Sequence, residues 1–179
     1  PDDVIQGIAR KDLSKLLDKL WTLAVVPKDL SPKEVDAINA FIKLANRLFR
    51  ACKKDGVLYR GLVNEFKRGF RAYFDKLVAE LKHENVDHYI IVKVILYIVG
   101  GATAFRELAW ELFASIFQEN EELFIDIICS NISIHRLMFE ILCGCPPDLK
   151  GTFQILFSRE NVRKMLEKVG PVSLYGLLC

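Results

Sequence analysis

One stretch of the chain combines histidines with carboxylates: His83-Glu84-Asn85-Val86-Asp87-His88. Imidazole and carboxylate groups bind metals and move protons. The two histidines are five residues apart, so on one helix they point in different directions. We expect a solvated joint between helices there. His135 stands among Ile132, Ile134 and Leu137, which predicts a core histidine with a satisfied hydrogen bond. Paired carboxylates occur at Glu107/Glu111, on one face of a helix, and at Glu121/Glu122. Di-iron bundles that use such pairs also carry Glu-x-x-His motifs, which are missing here. At Glu121/Glu122 the charge suits the first turn of a helix. Cys143-Gly-Cys145 has one intervening residue, fewer than zinc knuckles use. The phosphate-binding glycine loops, the Gly-x-Ser-x-Gly elbow and the His-Glu-x-x-His pair are all absent. The expectation is a protein that is not an enzyme, with no catalytic residue, no metal and no cofactor.

Recognition is better represented. Arg47 and Arg50 lead into Lys53-Lys54, and Arg60, Lys67, Arg68 and Arg71 recur along the next helical segment. These six arginine and lysine positions, Arg47 to Arg71, are the candidate partner-binding residues. Such a face can meet an acidic protein, or the phosphates of RNA or of a lipid headgroup. Tyr59 and Tyr73 lie close in sequence and could stack on bases. The simplest alternative is a solvated face whose long stems cover the core. Charge is uneven along the chain. Residues 43–82 hold eleven Lys/Arg and four Asp/Glu, and residues 106–148 hold two and eight. Opposite blocks either pair internally or face different partners.

The elements that carry these groups read as helices throughout. Leu13, Leu16, Leu17, Leu20 and Trp21 make one stripe, predicting a helix from about Asp12 to Val25 that Pro27 ends. Ser31-Pro32-Lys33-Glu34 is a capping box with proline at the first helical position. The helix it opens runs to Cys52 and stops at Lys53-Lys54-Asp55-Gly56. Leu58, Leu62, Phe66, Phe70, Phe74, Leu77 and Leu81 predict a third helix, about Val57 to Leu81. The fourth, about Val86 to Val99, is apolar on most sides and therefore central, and Gly100-Gly101 breaks or kinks it. A fifth spans about Ala104 to Phe117. Shorter helices follow at about 121–129, 132–143, 148–157 and 159–169, with Asn120, Asn131 and Ser158 as N-caps and Gly170-Pro171 as a stop. The large aromatics Phe66, Phe70, Phe74, Trp110, Phe113 and Phe117 follow helical spacing and belong in the core.

The chain has 179 residues, 51% hydrophobic and 27% charged, with formal charge +2. That composition excludes intrinsic disorder and a disulfide mini-scaffold. The five cysteines (Cys52, Cys129, Cys143, Cys145 and Cys179) are odd in number and mostly lie in or beside apolar runs. Free cysteine behaves as a small buried hydrophobe, so the pattern fits a reducing compartment and an intracellular protein, cytoplasmic or nuclear. Early aspartates Asp2, Asp3, Asp12 and Asp18 argue against a signal peptide. The longest apolar run, Tyr89 to Val99, is too short for a membrane span. We expect a single all-α domain, a bundle or repeat-like stack of about eight or nine antiparallel helices. Its long-helix half covers about 12–83 and its short-helix-pair half about 86–170. The apolar end, Val172 to Cys179, reads as a cut from a longer protein.

Glu122-Leu123 and Asp148-Leu149, like Gly144 and Gly170, are 26 residues apart. In this cadence of helix pairs, residues 87–170 resemble an armadillo- or HEAT-type helical repeat. The resemblance implies a scaffold for a protein or peptide partner. Val57-Leu58-Tyr59-Arg60 and Ser173-Leu174-Tyr175-Gly176 are similar to fragments of the tumour-necrosis-factor-induced lipid-transfer family, which would imply a bundle around an apolar cavity. The leading expectation is a non-enzymatic interaction module, and the apolar load permits a homodimer. The alternatives are a helical carrier of an apolar ligand or lipid, and a basic-face RNA or phosphate binder.

Overall fold

The computed structural model describes residues 2–169. Expectations for Gly170-Pro171, Ser173–Gly176 and Cys179 lie outside them. The chain is all-α. Its α-helices are α1 (Asp2–Thr22), α2 (Pro32–Cys52), α3 (Gly56–Glu80), α4 (His88–Gly101), α5 (Arg106–Glu119), α6 (Glu121–Ile128), α7 (Ile132–Ile141) and α8 (Arg159–Val169). Two 3-10 segments, Leu142–Gly144 and Lys150–Phe157, lie between α7 and α8. Among the described residues no single helix is long and apolar enough to cross a membrane. Two compact units divide between Ala109 and Trp110, inside α5, rather than at the polar joint of residues 82–85.

In the first unit, α1 begins ten residues earlier than its apolar stripe, and Asp12 is a kink with φ −158° and ψ 85°. The Asp12 carboxylate accepts from the Lys15 N–H at 3.0 Å, so it caps the second segment. That segment buries Leu16, Leu17 and Leu20 and ends at Thr22, short of Val25. Ser31 and Glu34 form the expected capping box. Glu34 does more than cap α2. Its carboxylate also accepts from the backbone N–H groups of Lys28 at 2.8 Å and Asp29 at 3.3 Å. This cage holds Leu30 at φ 52°, a left-handed conformation that costs a side-chain-bearing residue about 1–2 kcal/mol.

Burial alone would raise the Glu34 carboxyl. The hydrogen bond from Lys28, with those from Asp29 and Ser31, outweighs burial and brings it from 4.5 to about 2. A depressed carboxyl stabilises the fold fully above its unfolded value and stops doing so as pH falls through the folded value. The wild-type advantage in Tm over Glu34→Gln should therefore be constant above about pH 5 and shrink between pH 4.5 and 2. A difference that stays flat to pH 2 would remove Glu34 from this role.

The helices α2, α3 and α4 supply most of the first core. Rings of Phe41, Phe49, Phe66, Phe70, Phe74 and Phe105 are all buried. Their centroids lie as close as 4.6 Å for Phe70–Phe74 and 4.9 Å for Phe49–Phe66. The centre of this unit is thus filled by rings. Tyr73 joins them, and its hydroxyl donates to the Val25 carbonyl at 2.7 Å; burial raises the phenol. The central position expected for α4 is observed: Ile91, Val92, Val94, Ile95, Leu96, Ile98 and Val99 are all buried. It ends at Gly101, where α2 passes close by. A Cβ on Gly101 would meet Ile42 Cγ2 at 2.9 Å.

The second unit is built on Trp110, Phe113, Phe117, Phe124 and Phe153, all buried. Phe113 and Phe153 stack at 5.1 Å. Asn131 and Ser158 cap α7 and α8 as expected, through the Ile134 and Asn161 N–H groups. Asn120 does not cap α6 with its side chain; its amide turns back to the Ile116 carbonyl at 3.0 Å. The α-helix expected at 148–157 is a 3-10 segment instead. Its buried residues, Phe153 and Leu156, are three apart, and a three-residue turn puts them on one face.

Candidate functional site

The six candidate basic residues do not act as one group. Arg47 and Arg50 are exposed on α2, on the side away from buried Ala45, Leu48 and Phe49. Arg60 and Lys67 are exposed on α3 and share a face, seven residues apart. Arg71 continues that face but is engaged by Asp75, four residues on, at 3.0 Å. Arg68 is turned to a different side. It lines an open cleft between α1 and α3, of about 560 Å³, whose other walls are Ser14, Leu17, Asp18, Trp21, Glu65, Gly69 and Ala72.

This cleft is built by repetition of one spacing. Ser14, Leu17, Asp18 and Trp21 fall at i, i+3, i+4 and i+7 of α1, and Glu65, Arg68, Gly69 and Ala72 do the same on α3. Each set therefore forms one helix face. Trp21 is half-buried and packs at a tilt against Phe41, with ring centroids 5.9 Å apart, and Phe66, at 5.4 Å. Its indole lies directly on the α3 backbone at Gly69. A Cβ there would sit 2.3 Å from Trp21 Cζ2. Asp18, Glu65 and Arg68 are exposed and make no ion pair among the described residues. The cleft thus offers an aromatic floor and unspent charge of both signs.

A second open cleft, also about 560 Å³, lies in the second unit between α6 and the start of α8. Glu121, Glu122 and Asp126 give it an acidic wall, and Ile125 and Ile155 an apolar floor. Opposite them, Lys164 holds Glu160 at 3.0 Å. Asn161 lines the cleft with only 7% of its surface exposed. Its amide nitrogen donates to the Ile155 carbonyl at 2.8 Å, and its amide oxygen accepts no bond from the described residues.

The residues able to do chemistry are placed structurally. His88 Nε2 donates to the His83 carbonyl at 3.0 Å and closes the joint before α4. His135 is 8% exposed, donates from Nε2 to the Leu156 carbonyl at 2.9 Å and packs at a tilt against Phe157, with ring centroids 4.7 Å apart. It is the satisfied core histidine its setting predicts. Glu107 and Glu111 are exposed on α5. Cys52, Cys129 and Cys145 are buried and Cys143 is exposed. Burial pushes all three buried thiols up, Cys145 to about 11. Among the described residues no three His, Cys, Asp or Glu side chains converge as a metal site would require. The expected core aromatics are all buried, whereas Tyr89, Tyr97 and Phe139 are exposed.

The fold and these surfaces define an all-α protein of two compact units, each with an open, helix-walled cleft. No family model, no curated protein and no solved structure matches the chain.

Two residues that matter to the clefts were not among the expected ones. Gly69 is visible in the sequence as a glycine inside a strong helical stripe, which signals a packing reason. Asn161 carries no such signal, because its importance lies in how deeply α8 is seated.

Proposed function

We propose that the chain is a non-enzymatic interaction module that takes a peptide or protein partner in the α1–α3 cleft. The observation that carries this is Trp21, held half-buried on Gly69 between Arg68, Asp18 and Glu65. Tryptophan and arginine dominate the energetics of protein interfaces, and charges not spent within the fold are available to a partner. The partner this suits is an amphipathic segment. It lays an apolar side chain on the indole and brings a carboxylate to Arg68 and a cation to Asp18 or Glu65. The armadillo- or HEAT-like cadence of residues 87–170 supports the same general reading.

A displayed random-peptide library selected against the chain tests it. In a Trp110→Phe background the remaining tryptophan, Trp21, reports on the cleft. Selected peptides should shift its emission, and Arg68→Glu should weaken them at least tenfold, about 1.4 kcal/mol. Peptides that bind without moving Trp21 would displace the site. Native mass spectrometry of the purified chain separates the alternatives. A stoichiometric lipid adduct lost on denaturation would replace the module with a carrier. Salt-sensitive RNA binding that is abolished by Arg68→Glu with Arg71→Glu would replace it with a phosphate binder.

A further inference from the structure

The α6–α8 cleft of the second unit demands an occupant of defined chemistry. Its wall carries three carboxylates, Glu121, Glu122 and Asp126, none in an ion pair among the described residues. Its floor leaves Ile155 38% exposed, and Asn161, which lines the cleft, has a solvent-reached amide oxygen that accepts no bond from the described residues. The occupant must therefore bring cations around one short apolar side chain, and a donor for Asn161.

This chain displays such a surface. At the α2–α3 corner Lys53, Lys54 and Arg60 are exposed around Val57, which is 75% exposed, the most exposed of the large hydrophobic side chains among the described residues. The one carboxylate of the corner, Asp55, is spent: it caps α3 through the Leu58 N–H and pairs with Arg10 at 3.2 Å. Three cations and a valine face outward here, and the cleft sets two isoleucines beside three carboxylates outside any ion pair, its fourth carboxylate, Glu160, being held by Lys164.

We propose that a second copy of this chain docks its α2–α3 corner into the α6–α8 cleft. Val57 enters over Ile125 and Ile155, the cations meet the carboxylates, and a lysine ammonium donates to Asn161. Because the two surfaces differ, the contact is heterologous, and assembly continues until a ring closes. The interaction uses neither Trp21 nor Arg68, so it stands or falls separately from the α1–α3 reading.

Sedimentation velocity across micromolar to submillimolar concentrations tests it. The wild-type chain should form species beyond the dimer, and raising salt from 50 to about 500 mM should dissolve them. A cleft variant, Glu121→Lys with Glu122→Lys, and a corner variant, Lys53→Gln with Lys54→Gln, should each be monomeric with unchanged circular dichroism. Mixing the two should give a discrete one-to-one heterodimer, since each contributes one intact surface and growth stops there. Arg68→Glu should leave assembly unchanged. A monomeric wild type at all concentrations would overturn the proposal, as would assembly that survives in either variant. A symmetric dimer that mixing does not restore would do the same. If the chain stays monomeric but a synthetic lysine-rich peptide binds the cleft, the occupant is another basic protein and self-docking is wrong. Should the double variants unfold, Val57→Ser is the milder substitute and should weaken assembly at least fivefold.

Discussion

Asn46→Leu should lower the stability of the first unit by about 1–3 kcal/mol, although leucine matches asparagine in size and the site is buried. Asn46 sits on the inner side of α2, 7% exposed. Its amide donates to the Gly101 carbonyl at 2.8 Å and its oxygen accepts from the Ala104 N–H at 2.9 Å. Those two backbone groups fall in the turn where α4 has ended and α5 has not begun, so neither has a helical partner. Leucine would leave the Ala104 N–H without one, while the Gly101 carbonyl would keep only the bond it accepts from the Thr103 N–H at 2.9 Å; a buried, unpaired group costs about 1–3 kcal/mol. The better packing of leucine recovers part of that. Urea unfolding followed by circular dichroism measures the difference. Asn46→Asp should be intermediate in cost, keeping the acceptor for Ala104 and losing the donor for Gly101. A loss below about 0.5 kcal/mol for Asn46→Leu would mean that water reaches the turn and that the side chain is dispensable.

How far these features could be read from sequence depends on how local they are. The capping box of α2 is complete within four residues, and the structure reproduces it bond for bond. The stripes of α3 and the all-round apolar character of α4 are properties of single helices, and both elements lie within two residues of where the spacing puts them. Asp12 was legible as a helix start, and it does cap a segment, but the chain before it is helical too. Nothing announced those first turns, since Val4 and Ile8 point their apolar surface at solvent and make no buried stripe. The 3-10 segment at Lys150–Phe157 was hidden for a different reason. A pair of apolar residues three apart fits both kinds of helix, and only the packing of Phe153 against Trp110 and Phe113 decides.

The clefts were less legible than the helices. That Arg47, Arg50, Arg60, Lys67 and Arg68 would be exposed follows from their place opposite the apolar stripes. That Arg68 leaves the others and joins Asp18 depends on where α1 lies, and no pattern within α3 specifies it. Asn46 bonds to a turn 55 residues away, so its role is invisible to any window of sequence. The acidic excess of residues 106–148 was plain, but the isoleucine floor that makes an acidic wall into a cleft comes partly from Ile155, outside that block.

One substitution made twice in α3 separates packing from propensity and bears directly on the proposed site. Gly61→Ala should stabilise the chain, because the new methyl would meet only Leu13 Cδ2 at an ordinary 3.8 Å. Alanine gains up to about 1 kcal/mol over glycine inside a helix. Gly69→Ala, eight residues on, should do the opposite. Its methyl would lie 2.3 Å from Trp21 Cζ2 and 2.4 Å from Cε2, far inside contact distance. The indole is rigid and is wedged against Phe41 and Phe66, so it cannot yield in place. It must rotate out toward solvent or push α1 away from α3. Overpacking of this kind costs about 1–3 kcal/mol, which exceeds the propensity gain, so the net effect is destabilising. In the Trp110→Phe background, Gly69→Ala should also move Trp21 emission to longer wavelength, while Gly61→Ala leaves it unchanged. Peptides selected for the α1–α3 cleft should lose affinity for Gly69→Ala even though Arg68, Asp18 and Glu65 remain, because the aromatic floor they rest on has left its seat. If both alanines stabilise equally and the emission does not move, the indole is not seated on α3, and the cleft loses the feature on which its function was proposed.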